Sequence, residues 1–212
     1  MIFLLGGGIG FTEPLAHEFR NSIKMNSTIT FIPSDPDNYS KYLDSNIMWF
    51  KEIGLIFHEV YVIDKNDNKN TATNKIQKSN VLFLMGGDPI KQLNHIKNTE
   101  IIECMKKYEG VIIGLSAGAL SICKKCIIVK DEDYPQNIVL DGINITNGLN
   151  VDVHYENDHD IDLKNIAKEN DIEIFGIAEN CFIKIQQGNN KYIGNGMYCI
   201  FRKDGIKEVK CV

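Results

Sequence analysis

A serine stands among small residues at Gly114-Leu-Ser116-Ala-Gly118, after the apolar, β-branched run Val111-Ile-Ile and before the helix-compatible Ala117-Gly-Ala-Leu120. Gly-x-Ser-x-Gly at a strand-to-helix junction is the pattern of a nucleophile elbow, where a sharp turn lifts the hydroxyl clear of the sheet. Glycine two residues to either side avoids a Cβ where the neighbouring backbone must come close. A serine hydroxyl is a weak nucleophile at neutral pH, so the pattern has chemical meaning only with a base in reach.

The chain has five histidines. His154 ends the apolar, strand-like stretch that begins at Gly148, and strand ends are where catalytic groups gather in an α/β sheet. It is the first candidate base. His159, in the polar Asn157-Asp-His-Asp160, is the second, and that acidic turn reads as solvated rather than metal-binding. His17, His58 and His95 read as surface or helix-face residues. A base that takes and returns a proton is usually oriented by a carboxylate. The candidates are the cluster Asp131-Glu132-Asp133, then Asp152, Glu156 and Glu179. On an extended segment Glu156 would point away from His154. An oxyanion hole needs two backbone N–H donors. Ala117, after the serine at a helix N-terminus, supplies one, and the Gly86-Gly87 pair at the end of a buried strand can supply the other. Gly86, Asp88, Gln92 and Glu179 are the candidate substrate contacts. Cys123-Lys-Lys-Cys126 has no second Cys-x-x-Cys and no histidine pair at ligand spacing, so it reads as packed thiols in the helix after the elbow. Neither a metal nor a cofactor is expected.

These residues need a scaffold of alternating short strands and helices. Met1–Leu5 reads as a first buried strand ending in Gly6-Gly-Gly-Ile-Gly10. This is not a dinucleotide fingerprint, because Phe11 stands where its last glycine should be. It reads instead as a strand end that lets another backbone approach closely. A helix with Pro14 in its first turn runs from Thr12 towards Ile23. Strands follow at Ser27–Ile32, Glu59–Ile63, Val81–Met85 and Val111–Gly114. Tyr39–Ile53, Ile90–Ile96 and Ile101–Tyr108 read as helices, and Asp64–Lys78 as a surface loop with a short helix. The later chain is strand-rich, at Ile127–Val129, Gly176–Ala178, Cys181–Ile185, Lys191–Ile193 and Met197–Arg202. A hairpin is expected at Gln187-Gly-Asn-Asn190. The alternation predicts a three-layer α/β fold, a mainly parallel sheet flanked by helices with a strand-rich C-terminal part. With 212 residues and no linker or repeat, one domain over 1–212 is expected.

Composition narrows the partners. A net charge of -5 leaves no basic footprint for nucleic acid or an anionic membrane surface. No apolar run approaches the ~20 residues of a membrane span, and Met1-Ile-Phe-Leu-Leu is too short for a signal sequence. Six cysteines without a secretion signal suit reduced thiols and a cytoplasmic location. The expected partner is a small peptide, handled by a monomer or homodimer.

Together, strand-Gly86-Gly87, Gly114-x-Ser116-Ala-Gly-Ala119, Asp133-x-Pro135 and His154 closing a short strand resemble the dipeptidase E (aspartyl dipeptidase) and cyanophycinase family of serine peptidases. The resemblance runs over about residues 1–200. It implies a fold like that of class I glutamine amidotransferases, related in plan to flavodoxin. It implies Ser116 as nucleophile, His154 as base, Gly87 and Ala117 as oxyanion donors and, by best match, Asp133 as the acid. The activity implied is serine-type hydrolysis of dipeptides or other short peptides. An esterase or amidase, or an inactive binding protein, would share this scaffold. The sequence departs from the dipeptidase pattern at Asp88-Pro89, where that pattern has Asn-Thr. Its only arginines, Arg20 and Arg202, lie far from the motifs, whereas a pocket for an aspartyl side chain wants a cation.

Overall fold

The structure, a computed structural model, describes residues 1–186, 189–194 and 197–211. Its first half is a run of strand–helix units. β1 (Ile2–Leu5) leads to α1 (Glu13–Ser22), β2 (Thr28–Ile32) to α2 (Ser40–Glu52), and β3 (Glu59–Val62) to α3 (Lys69–Lys78). β4 (Val81–Leu84) is followed by α4 (Pro89–Asn98) and α5 (Ile102–Lys106), and β5 (Val111–Leu115) by the short α6 (Ala117–Ile122). Local chemistry starts these helices. Asn68 and Thr71 form a reciprocal capping box on α3, while Asp88 caps α4 with Pro89 in its first turn.

The second half adds β6 (Lys125–Ile128), β7 (Ile138–Asp141), β8 (Val151–Val153), a 3-10 turn (Asn157–His159), α7 (Asp160–Glu169) and β9 (Ile174–Ile177). It ends with β10 (Phe182–Gln186), β11 (Asn189–Ile193), β12 (Met197–Phe201) and β13 (Lys207–Cys211). Two of these strands, β7 and β13, were not expected from the sequence. Cys123-x-x-Cys126 does not lie within one helix: Cys123 terminates α6 and Cys126 is already on β6. Of the expected hairpin turn, Gln187 and Gly188 lie outside the described residues, but its strands β10 and β11 pair antiparallel.

The main sheet has the order β11-β10-β1-β5-β4-β2-β3. β1, β5, β4, β2 and β3 are parallel neighbours, and β10 and β11 extend the β1 edge antiparallel. Strand alternation sends side chains to two cores. Phe3, Leu5, Phe31, Phe83 and Ile113 pack on one face with Phe19 of α1 and Phe50 of α2. Leu4, Ile32, Leu82, Leu84 and Ile112 pack on the other with α3, α4 and α6. The first core is aromatic, with Phe50 and Phe83 5.6 Å apart and edge-on, an arrangement worth about 0.5–1.5 kcal/mol beyond the area it buries. This is the three-layer, mainly parallel α/β architecture. A four-stranded sheet, β13-β12-β9-β8, and the β6–β7 pair complete the strand-rich part. Among the described residues no helix is long and apolar enough to cross a membrane.

Candidate active site

Ser116 sits between β5 and α6 with φ 49° and ψ -110°. That is an unfavourable region for a residue with a Cβ, at a cost of about 1–3 kcal/mol. The strain is held from both sides. The Ser116 N–H donates to Leu5 O of β1 at 3.0 Å, and Ser116 O accepts from the N–H of Ala119 and Leu120. The flanking glycines permit this packing: a Cβ on Gly118 would lie 2.3 Å from Leu84 O, and one on Gly114 2.7 Å from Ala119 N. As the first residue of α6, Ala117 has no intrahelical acceptor for its N–H.

The base comes from a different sheet. His154 follows β8 with φ 51°, and its N–H donates to Gly6 O at 2.8 Å. Its ring Nε2 lies 2.8 Å from Ser116 Oγ, and its Nδ1 lies 3.1 Å from Glu179 Oε1. A carboxylate can only accept, so Nδ1 carries the proton and Nε2 offers its lone pair to the serine hydroxyl. Glu179 follows β9. Asn180 N–H donates to Gly7 O at 3.1 Å, and Gly6 N–H to Cys181 O at 3.0 Å. The glycine run after β1 is therefore the plate on which both the histidine and the carboxylate segments are mounted. A Cβ on Gly7 would lie 2.2 Å from the His154 ring.

The carboxylate at His154 corrects the expectation for Asp133. Asp133 is exposed in the β6–β7 loop, where Asp131 Oδ1 accepts the backbone N–H groups of Asp133 and Tyr134. The acidic cluster builds a turn there and does not orient the histidine. Glu132 is exposed in the same loop, and Glu156 is exposed at the start of the 3-10 turn. Gln92 is a second correction. It is fully buried, and its Nε2 donates to Ile32 O and Met85 O, tying the ends of β2 and β4 together out of reach of a substrate. Glu179, expected among the substrate contacts, faces His154.

Gly86 and Gly87 follow β4 beside β5, where a Cβ on Gly86 would lie 3.6 Å from Leu115 O. Ser34, buried at the end of β2, donates its hydroxyl to Gly86 O at 2.7 Å and fixes this turn. Sequence reasoning missed Ser34, whose only signal was a position at a strand end. Asp88 caps α4 and accepts a hydrogen bond from Tyr134 OH at 3.0 Å, which ties the β6–β7 loop to the residue after the glycine pair. Burial and this contact push the Tyr134 phenol up to about 12.

His159 is not at the serine. Its Nδ1 lies 2.9 Å from Asp152 Oδ2, and Asp152 is only 3% exposed. Burial pushes the Asp152 carboxyl up, and the hydrogen bond to Asp152 raises His159. A histidine raised in the folded state contributes stability that is complete below its unfolded value of about 6.5 and is lost as pH climbs through the higher folded one. The melting temperature followed by circular dichroism is therefore expected to fall as pH rises above about 6.5, and to fall less in His159→Gln. Equal slopes in the two proteins would remove His159 as the source.

The other histidines stay away from the serine: His17 and His58 are exposed, while His95 is buried with Nε2 2.9 Å from Ile63 O. Cys123 and Cys126 are buried, burial raising both thiols and Cys126 to about 12, which suits packing rather than redox exchange. Among the described residues no group of three or more His, Cys, Asp or Glu is arranged to hold a metal. A broad cleft lined by Met1, Asn80, Tyr108 and Gly110 lies at the opposite end of the sheet, below the N-terminal ends of β1, β4 and β5, and contains none of the groups described above.

Comparison with known proteins supplies the family. A family model described as Peptidase family S51 matches residues 2–193. No curated protein matches. Among solved structures the chain is similar to a candidate peptidase E protein from Listeria monocytogenes EGD-e, known from a 1.5 Å crystal structure. The TM-score is 0.68 at 20% identity, covering 91% of this chain and 96% of that one. That likeness bears on the fold alone, whereas the family model spans nearly the whole chain. The chain belongs to peptidase family S51, the dipeptidase E family of serine peptidases.

Proposed function

We propose that the protein is an exopeptidase that hydrolyses dipeptides and other short peptides through Ser116, His154 and Glu179. The observation that carries this reading is the chain of contacts Ser116 Oγ to His154 Nε2 at 2.8 Å and His154 Nδ1 to Glu179 Oε1 at 3.1 Å, beginning at a strained serine. In this mechanism Oγ adds to the scissile carbonyl carbon while Nε2 takes the hydroxyl proton. The carbonyl oxygen becomes the oxyanion, met by the N–H groups of Gly87 and Ala117 at the start of α6. His154 then gives its proton to the amine nitrogen, the C–N bond breaks, and the acyl group remains on Ser116. Water, deprotonated by His154, attacks the ester and releases the acid and the serine. Glu179 keeps the imidazole in the required tautomer and stabilises the imidazolium formed in each half-reaction.

A fluorophosphonate probe and a panel of dipeptides test this reading. The probe is expected to label Ser116, and Ser116→Ala is expected to lose both the label and dipeptide turnover. Label on another residue, or equal turnover by Ser116→Ala, would overturn it.

A further inference from the structure

The wall beside Gly87 has an unused acceptor. Asp88 Oδ1 takes three hydrogen bonds, from Ile90 N at 2.9 Å, Lys91 N at 2.9 Å and Tyr134 OH at 3.0 Å. Oδ2 of the same carboxylate takes none from the described residues. A carboxylate has room for about four donors, so with three on Oδ1 a further one is left for Oδ2. Its position matters because Asp88 directly follows Gly87, one of the two residues whose N–H groups meet the oxyanion. In an N-terminal residue the α-nitrogen is two bonds from the carbonyl carbon. A substrate whose carbonyl oxygen meets the Gly87 N–H therefore carries its ammonium close to the chain leaving Gly87.

The surrounding charges point the same way. Lys91, on the first turn of α4, pairs with Asp35 at 3.3 Å, and Lys130, at the start of the β6–β7 loop, pairs with Asp162 at 3.0 Å. Both arginines are committed elsewhere, Arg20 to Glu13 and Arg202 to Glu173 and Glu208. A second carboxylate, Glu179, stands behind His154. Such a mouth attracts a cation and repels a second carboxylate.

We propose that Asp88, held by Tyr134, receives the free α-ammonium of the substrate, and that the enzyme prefers short peptides with a neutral or basic first residue over aspartyl peptides. The proposal rests on the hydrolytic reading of Ser116. Tyr134 fixes the carboxylate and supplies a second oxygen to the same ammonium. The two roles of Asp88 separate cleanly, because asparagine and serine both cap helices well without the charge.

Steady-state kinetics of the full chain with Leu-Leu, Lys-Leu, Asp-Leu and N-acetyl-Leu-Leu test the proposal, using wild type, Asp88→Asn and Asp88→Ser. Wild type is expected to cleave Leu-Leu and Lys-Leu at least about tenfold better, in kcat/KM, than Asp-Leu or the acetylated peptide. Each Asp88 variant is expected to raise KM for the free-amine peptides and to lose most of the preference over N-acetyl-Leu-Leu. If Ser116 takes the fluorophosphonate label and peptides are cleaved, but Asp-Leu is the best substrate, the proposal fails and the hydrolytic reading stands. The proposal fails in the same way if a folded Asp88 variant keeps the preference for a free amine. Wild type that neither takes the label nor cleaves any peptide would remove both.

Discussion

Glu179→Gln is expected to lower kcat by about two to three orders of magnitude, whereas Asp133→Asn is expected to change it less than about threefold. Tautomer and charge are the reasons. The Glu179 carboxylate accepts from His154 Nδ1 and leaves Nε2 free to receive the Ser116 proton. A carboxamide can turn its NH2 towards the ring, which favours the wrong tautomer, and it has no charge to stabilise the imidazolium. The side chain of Glu179 is 60% exposed, so water screens part of its field, and the loss is set below the roughly ten-thousandfold typical of a buried triad acid. Paired measurement of kcat and of the rate of fluorophosphonate labelling checks this. Both should fall together, because both need the activated serine. A Glu179→Gln enzyme with near-normal kcat, or a large loss in Asp133→Asn, would return the acid to the β6–β7 loop.

The residues whose roles sequence reasoning misplaced were moved by different physical causes. Local patterns were legible because local sterics write them. Gly114 and Gly118 must be small for α6 to fold back on β4, and the Gly6-Gly7-Gly8 run must be small for the segments at His154 and Asn180 to lie against it. The parallel strands were legible from their apolar runs, since both faces of the main sheet are covered. Glu179 carried no such local mark. It reaches His154 because β9 pairs with β8 and because β10 lies antiparallel to β1, and both pairings are set far along the chain. Asp133 was attractive because acidic residues cluster around it, but Asp131 folds that cluster into a turn by accepting two backbone N–H groups. Gln92 sat at a suggestive distance after the glycine pair. A helix face turned it inward, where its amide serves two strand-end carbonyls.

Gly7→Ala is expected to cost at least about a hundredfold in kcat/KM while the chain stays folded, because a misplacement of about 1 Å at a catalytic group already costs that much. The backbone around position 7 cannot yield easily. Gly6 O holds His154 N–H, Gly7 O holds Asn180 N–H, and Ser116 N–H is bonded to Leu5 O two residues upstream. The new methyl would lie 2.2 Å from His154 Cε1 and 2.5 Å from Nδ1. Of the groups in collision the imidazole is the free end of a side chain, so it is the ring that swings away, breaking contact with Ser116 or Glu179 or both. The backbone conformation adds strain, since Gly7 has φ 137°. That is worth about 1–3 kcal/mol, or a melting temperature lowered by about 2–12 °C for a chain of this size. Gly10 separates strain from collision: it has φ 124°, yet a Cβ there meets nothing within 4 Å. Gly10→Ala is therefore expected to lose about as much thermal stability as Gly7→Ala but to keep kcat/KM within about fivefold of wild type. Circular dichroism melts and dipeptide kinetics on the two variants test the pair. Equal activities in both would show that the glycine plate serves only the fold, and that His154 keeps its place without it.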